Sequence, residues 1–211
     1  MKILIFILLI YIPVNSLASE NEFWKWFQFN KNEIESINSG DEEILDEIRI
    51  NLHKYNDKLY FELSNKTDPK EFIITAEGDR EQFDSVFELV HAAPNIDGWK
   101  IIALKPPKEF QSLKLYGKVY DSKKIWFLPL TSKKDSKALG LRVGIPELKE
   151  GDKANSIKAM ILLLDAMIGE LAATNKIHYL DTTMLPDKPE SKGYIQMVEL
   201  SSYLEWREKN M

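Results

Sequence analysis

The chain has 211 residues, of which 44% are hydrophobic and 29% are charged, and its formal net charge is −5 at pH 7. These values lie near the averages of globular proteins, so collagen-like, low-complexity and wholly disordered chains are excluded. The acidic balance argues against nucleic-acid binding, which needs a basic face. The absence of cysteine excludes disulfides, zinc ribbons, cysteine-bound iron–sulfur clusters and a thiol nucleophile.

Residues 1–18 have the features of a secretory signal peptide. A short positive start precedes an apolar run at residues 3–14, and Ser16 and Ala18 occupy the −3 and −1 positions of a cleavage site. The run is well short of the ~20 residues that a spanning helix needs. We therefore expect export to a bacterial periplasm or cell exterior, with cleavage after Ala18 and no stable membrane span afterwards. A retained N-terminal anchor is the alternative.

Two amphipathic helices are predicted next. Ser19 and Glu22 have the S-x-x-E spacing of a capping box, ahead of an aromatic segment at residues 23–27. Residues 39–42 repeat the capping signal before a second helix. The apolar residues of that helix recur with a period of 3.6: Ile44, Leu45, Ile48, Leu52 and Tyr55.

The middle of the chain has a strand–strand–helix–strand order that occurs twice. The first set comprises strands at residues 59–63 and 72–76, a helix capped by Asp79, and a strand at residues 99–104. After Pro106-Pro107 come a hairpin of residues 115–120 with 125–130, a strand at 138–145, a long helix over 153–171, a strand at 177–183 and a C-terminal helix at 198–209. The strand at 138–145 disturbs an otherwise clean repeat.

These patterns predict an α+β fold, with an antiparallel or mixed sheet, helices packed on it, N-terminal helices and a C-terminal helix. We expect one domain at residues 19–211, with two ββαβ units at residues 58–105 and 113–183. No Gly/Ser linker separates the units, which favours a single compact domain.

Catalytic and cofactor motifs are missing from the sequence. Neither H-E-x-x-H, G-x-S-x-G nor a phosphate-binding glycine loop occurs. The three histidines, His53, His91 and His178, lack metal-ligand spacing. We therefore predict no cofactor and no metal site. The spacing of Gly140 and Gly144, with Arg142 between them, indicates a bulge or close packing in a strand.

One catalytic constellation can be assembled from the remaining residues. Asp165 and Glu170 lie among apolar neighbours of the long helix, where burial raises the pKa of a carboxyl group and suits it to acid–base work. His178 and Asp181 follow in the next strand. A hydrolase using Glu170, His178 and Asp181 is one hypothesis; the other interpretation is that Glu170 ends a helix in water and Asp181 lies in a turn.

The aromatic segment at residues 23–29 is too dense for one helix face to bury completely. Trp24 and Trp26 are therefore candidates for binding a protein or glycan partner. The competing interpretation is that these rings cover the sheet of a core that has no disulfides.

Several stretches resemble a family of uncharacterised bacterial proteins, common in Bacteroidota, near the domain-of-unknown-function 695 group. They are FWKWF at residues 23–27, IITAEG at 73–78, VFELVHAAP at 86–94, GWKIIALKP at 98–106, LDAMIGE at 164–170 and LEWR at 204–207. The family has no established activity, so the resemblance implies no catalytic residues, and the leader is a departure from the family pattern.

The sequence therefore favours an exported, non-catalytic α+β binding or interaction protein. The hydrolase is the alternative, and the oligomeric state is left open.

Overall fold

The computed structural model describes residues 19–37, 42–64, 67–108, 112–135 and 137–210. The predicted signal peptide and most of the capping signal at residues 39–42 lie outside these ranges. Helices pack on mixed sheets, so the predicted α+β fold is confirmed. Two hydrophobic clusters form the core, one in the N-terminal half and one in the C-terminal half.

The N-terminal half contains four helices and a three-stranded sheet. Its elements are α1 (Glu20–Phe29), α2 (Lys31–Glu35), α3 (Glu42–Tyr55), β1 (Tyr60–Ser64), β2 (Lys70–Thr75), α4 (Phe83–His91) and β3 (Trp99–Ala103). The sheet has the order β1-β2-β3, with β1 antiparallel and β3 parallel to the central β2. Because the parallel pair needs a crossover, α4 connects β2 to β3.

Aromatic rings of α1 form the centre of the first core. The Phe27 ring lies 4.9 Å from Phe72 of β2 and 5.3 Å from Trp99 of β3, measured between centroids. Glu22 accepts a hydrogen bond from the Ser19 backbone at 3.0 Å, as the predicted capping box requires. The segment thus packs α1 onto the sheet.

The C-terminal half contains a hairpin and a four-stranded sheet. Its elements are β4 (Ser112–Leu115), β5 (Lys118–Asp121), β6 (Trp126–Thr131), β7 (Leu139–Ile145), α5 (Lys153–Ile168), α6 (Glu170–Lys176), β8 (Tyr179–Met184), β9 (Ile195–Gln196) and α7 (Leu200–Asn210). The sheet has the order β8-β7-β6-β9, in which only the β7–β8 pair is parallel.

The predicted hairpin of residues 115–120 with 125–130 is wrong. Strand β5 pairs with β4, whereas β6 belongs to the other sheet and pairs with β7. Tyr116 and Gly117 both have positive φ, 51° and 73°, which is the requirement of a two-residue hairpin turn. The tight turn therefore lies at Tyr116-Gly117 and not at the predicted residues 121–124.

The predicted long helix is also broken. It ends at Gly169, whose φ is +81°, and α6 begins at Glu170. A Cβ at Gly169 would lie 3.0 Å from Pro107 Cδ, so only glycine allows this close approach. Leu171, the last residue of the predicted helix, is exposed on α6.

Both halves contain the order strand, antiparallel strand, helix, parallel strand. In the second half, the first strand of that order is β6. The strand expected to disturb the repeat, β7, is instead the central strand of the second unit. Corresponding hydrogen bonds close the two parallel pairs: Leu104 N donates to Ile74 O at 2.8 Å, and Leu185 N donates to Ile145 O at 3.0 Å. These bonds define which residues of the halves correspond.

Candidate functional site

A cavity lies at the carboxyl ends of β7 and β8, beside the first turn of α5. We call it the β7–β8 cleft, and its volume is about 530 Å³. In open sheets, ligands bind outside the carboxyl ends of parallel strands. The lining residues are Arg142, Leu148, Lys149, Glu150, Lys153, Asp181, Thr182, Thr183, Met184, Pro186, Lys192 and Tyr194.

Two ion pairs that share Asp181 form one side of the cleft. Arg142 Nε donates to Asp181 Oδ2 at 3.1 Å, and Lys153 Nζ lies 3.1 Å from Asp181 Oδ1. Burial opposes ionisation of Asp181, but hydrogen bonds from Lys153 and Arg142 outweigh it and lower the pKa of this carboxyl. The hydrogen bond to Asp181 correspondingly raises the pKa of Lys153. Asp181 and Lys153 are therefore both charged at neutral pH.

A buried hydroxyl pair holds α5 against β8 below this ion pair. Ser156 Oγ lies 2.7 Å from Thr182 Oγ1 and donates to the Lys153 carbonyl at 2.7 Å. The pair fixes the first turn of α5, and with it Lys153, relative to Asp181 on the neighbouring strand.

Apolar side chains form the other wall of the cleft. Tyr194 packs against Gly144 of β7, where a Cβ would lie 3.1 Å from Tyr194 Cε1 and 2.7 Å from Leu185 Cδ1. The predicted close packing at this glycine is thus confirmed. Met184 is 63% exposed at the cleft. The cleft therefore combines a charged side with an apolar side, as small-molecule sites do.

Glu170, the first predicted catalytic residue, ties the two halves together. Its carboxylate is fully buried and accepts four hydrogen bonds, all from the N-terminal half. The donors and distances are Thr75 Oγ1 at 2.6 Å, Gly78 N at 2.9 Å, Lys105 N at 3.0 Å and Ala76 N at 3.1 Å. We call this set of donors the Glu170 nest; it lies at the carboxyl ends of β2 and β3.

Strained backbone accompanies the nest. Glu77 and Leu104, which adjoin its donors, have φ of 52° and 60°, a conformation that costs a non-glycine residue on the order of 1 kcal/mol. Glu170 N also donates to Lys105 O at 2.9 Å, so the link is reciprocal. These bonds occupy both oxygens of Glu170 and give it a structural role.

A buried ion pair adjoins the nest. Lys105 Nζ lies 2.9 Å from Glu77 Oε1 and 3.6 Å from Asp165 Oδ2. Burial raises the pKa of Asp165 to about 6, with Lys105 opposing the shift. The sequence predicted a carboxyl with a raised pKa on the long helix, and Asp165 of α5 is that carboxyl.

The other two predicted catalytic residues lie elsewhere. His178 is exposed at a separate cavity; its Nδ1 accepts from Leu139 N at 3.3 Å and lies 3.2 Å from Lys176 O. Asp181 lies in the β7–β8 cleft. Glu170, His178 and Asp181 share no hydrogen bond or ion pair, so the structure does not bring the constellation together.

The candidate partner-binding residues belong to the first core. Trp24 is 2% exposed, and its Nε1 donates to Leu89 O at 2.7 Å. Trp26 is partly buried, with its ring 6.3 Å from Phe23. The expectation that Trp24 presents a binding surface is therefore corrected: the ring is core, and the exposed aromatic of α1 is Phe29.

Comparison with known proteins adds no functional information. No family model, curated protein or solved structure matches this chain. Within the described ranges, no helix is long and apolar enough to cross a membrane.

Sequence reasoning missed the cationic residues of the cleft. Arg142 was visible between two glycines of a strand, and that spacing is the one signal that pointed here. Lys149, Lys153 and Lys192 belong to different loops and a helix start, so only the fold brings them to one place.

Proposed function

We propose that this chain is an exported bacterial binding protein without catalysis of its own, and that it takes a small molecule in the β7–β8 cleft. The observation that carries the proposal is the cleft itself: about 530 Å³ at the ends of a parallel strand pair, with an ordered ion pair on one side and an apolar wall on the other. Both halves have such strand ends, but the first is filled by Glu170.

The positions of the predicted residues favour binding over hydrolysis. Glu170 is engaged by four donors, and His178 faces a different cavity. A protein or glycan partner bound through Trp24 is disfavoured, because that ring lies in the core. Membership in the uncharacterised Bacteroidota family stays a prediction.

Export is tested on the full chain expressed in a bacterium. We expect the protein in the periplasm or medium, with an N-terminus that mass spectrometry identifies as Ser19. A protein that stays in the membrane fraction with Met1 intact would favour the anchor instead.

Binding is tested with the exported protein, labelled with ¹⁵N, against a library of small anionic, neutral and cationic fragments. We expect fragments to shift the amides of Lys149, Glu150 and Thr182–Met184. Fragments that shift only amides outside the cleft, or a library without a single binder there, would contradict the proposal.

A further inference from the structure

We infer that the ligand of the β7–β8 cleft carries an oxyanion, a carboxylate or a phosphate on an organic body, and that Arg142 is its anchor. The inference rests on the proposed function and names the chemical class of the ligand. It comes from comparing the corresponding strand ends of the two halves.

In the N-terminal half, the strand ends already hold a carboxylate. Glu170 lies against backbone and hydroxyl donors that follow β2 and β3, including Thr75 Oγ1 and Lys105 N. The hydrogen bonds that close the parallel pairs make Thr75 correspond to Pro146 and Lys105 to Pro186. Thus the group accepted at the strand ends of the N-terminal half is a carboxylate.

In the C-terminal half, the same two positions are prolines, which have neither a hydroxyl in place of Thr75 Oγ1 nor an N–H in place of Lys105 N. No side chain of the described residues fills the cleft in the manner of Glu170. Its cationic side chains outnumber its carboxylates: Arg142, Lys149, Lys153 and Lys192 against Glu150 and Asp181. In a chain with a net charge of −5, this is a local reversal of charge.

Arg142 is the group best placed to recognise an oxyanion. Asp181 engages only its Nε, and neither Nη has a partner among the described residues. Two guanidinium N–H groups in one plane match a carboxylate or phosphate edge. Asp181, whose second oxygen is engaged by Lys153, acts as a positioning residue that holds the guanidinium.

Lys192 and Met184 complete the recognition. Lys192 is exposed and has no ion pair or hydrogen bond within the described part of the chain, so its ammonium is available to a ligand. Met184 and Tyr194 offer apolar surface to the organic body. Hence we expect a bare anion to bind more weakly than the same anion on a small ring.

The test uses probes that share a ring and differ in charge: benzoate, phenyl phosphate, benzamide and benzylamine, with inorganic phosphate as the bare anion. The exported protein is titrated with each, and the amides of the cleft are followed by NMR. We expect benzoate or phenyl phosphate to bind there and the other two ring probes to bind at least about tenfold more weakly. The stronger of the two anions identifies the oxyanion.

Variants locate the anchor. Arg142→Gln should weaken the anionic probe at least about tenfold, whereas Arg49→Gln should leave binding unchanged. Arg49 is a matched control, because it also pairs with an aspartate, Asp46, but lies on α3. Lys192→Gln, which breaks no contact, should weaken binding about threefold, and thermal unfolding checks that each variant is folded.

The outcomes separate the two proposals. If benzamide or benzylamine binds in the cleft as well as benzoate does, the oxyanion is wrong and the binding function stands. Unchanged binding in folded Arg142→Gln would remove Arg142 as the anchor. If no probe shifts the cleft, the oxyanion inference is overturned, and the wider fragment library decides the binding function.

Discussion

The two parallel strand pairs of this protein, β2–β3 and β7–β8, have the same topology, but only the first has its carboxyl ends occupied by a side chain of the described residues. In the N-terminal half, backbone donors hold the Glu170 carboxylate from the other half, and the site is closed. In the C-terminal half, Pro146 and Pro186 stand where Thr75 and Lys105 donate in the first half, and cationic side chains surround open space. The difference teaches that one architecture can end either in a structural tie or in an open cleft, depending on whether the chain supplies its own anion.

The largest expected effect comes from removing that anion. Glu170→Ala leaves four donors without an acceptor, three of them in buried hydrogen bonds. We expect the free energy of unfolding to fall by about 3–5 kcal/mol. Urea unfolding measures the change, with Glu205→Ala on the exposed side of α7 as control. A loss below about 1 kcal/mol would mean that the hydrogen bonds to Glu170 contribute little to stability. The proposed difference between a structural site in the N-terminal half and an open cleft in the C-terminal half would then be wrong.

Trp24→Ala tests whether the aromatic ring of Trp24 stabilises the core of the N-terminal half. The ring is buried and donates to Leu89 O, so we expect a loss of about 3–5 kcal/mol. Trp26→Ala, at a partly buried position, should cost about 1 kcal/mol by the same measurement. Equal stability of the two variants would return Trp24 to the candidates for partner binding.

The buried pair beside the nest gives a pH dependence. The pKa of Asp165 is about 6 in the folded protein, against 3.8 for the free group. The folded state therefore binds the Asp165 proton more tightly than the unfolded state does. As a result, the contribution of Asp165 to the free energy of unfolding falls as pH rises from about 4 to about 6. The decline amounts to at most about 3 kcal/mol.

Asp165→Asn should abolish that decline. The difference in unfolding free energy between the variant and the unaltered chain should therefore move in favour of the variant between pH 4 and pH 7. Urea titrations at several pH values measure it. A difference that does not change with pH would contradict the raised pKa.

Gly144→Ala tests the wall of the cleft. The added methyl group would meet Leu185 Cδ1 at 2.7 Å and Tyr194 Cε1 at 3.1 Å, so we expect a loss of about 1–3 kcal/mol. The amide shifts should concentrate around Tyr194 and Leu185. Gly151→Ala is the control, because a Cβ there meets nothing within 4 Å.

The smallest effect is expected at the open site. Lys192→Gln should change the free energy of unfolding by less than about 0.5 kcal/mol, because its ammonium stabilises no contact of the folded chain. Thermal unfolding measures it. A large loss would show that the cleft, like the nest, serves the fold rather than a ligand.

Periodicity and capping predicted most elements because these signals are local. The capping box at Ser19 and the strands around residues 60–75 needed only neighbouring residues to be identified. Where two local solutions competed, the prediction was wrong: the turn at Tyr116-Gly117 formed the hairpin, although residues 121–124 also resemble a turn. On α4, Phe83, Val86 and Leu89 are buried, whereas Phe87 is exposed.

The candidate sites could not be predicted in the same way because they depend on distant pairs. Glu170 was identified as unusual from its apolar surroundings, which was correct, but its partners lie in the other half of the chain. Arg142 and Asp181 are 39 residues apart in sequence. No local pattern states that two strands will become parallel neighbours and place these side chains together.

The Glu170 nest also sets an order of assembly. Thr75 is separated from Glu170 by 95 positions and Lys105 by 65, so the amides of the N-terminal half obtain their acceptor only after most of the chain is available. A chain threaded through a membrane pore from its N-terminus would deliver that acceptor late. During such a passage the N-terminal half would lack the Glu170 acceptor, and residue 170 would supply it only on the far side.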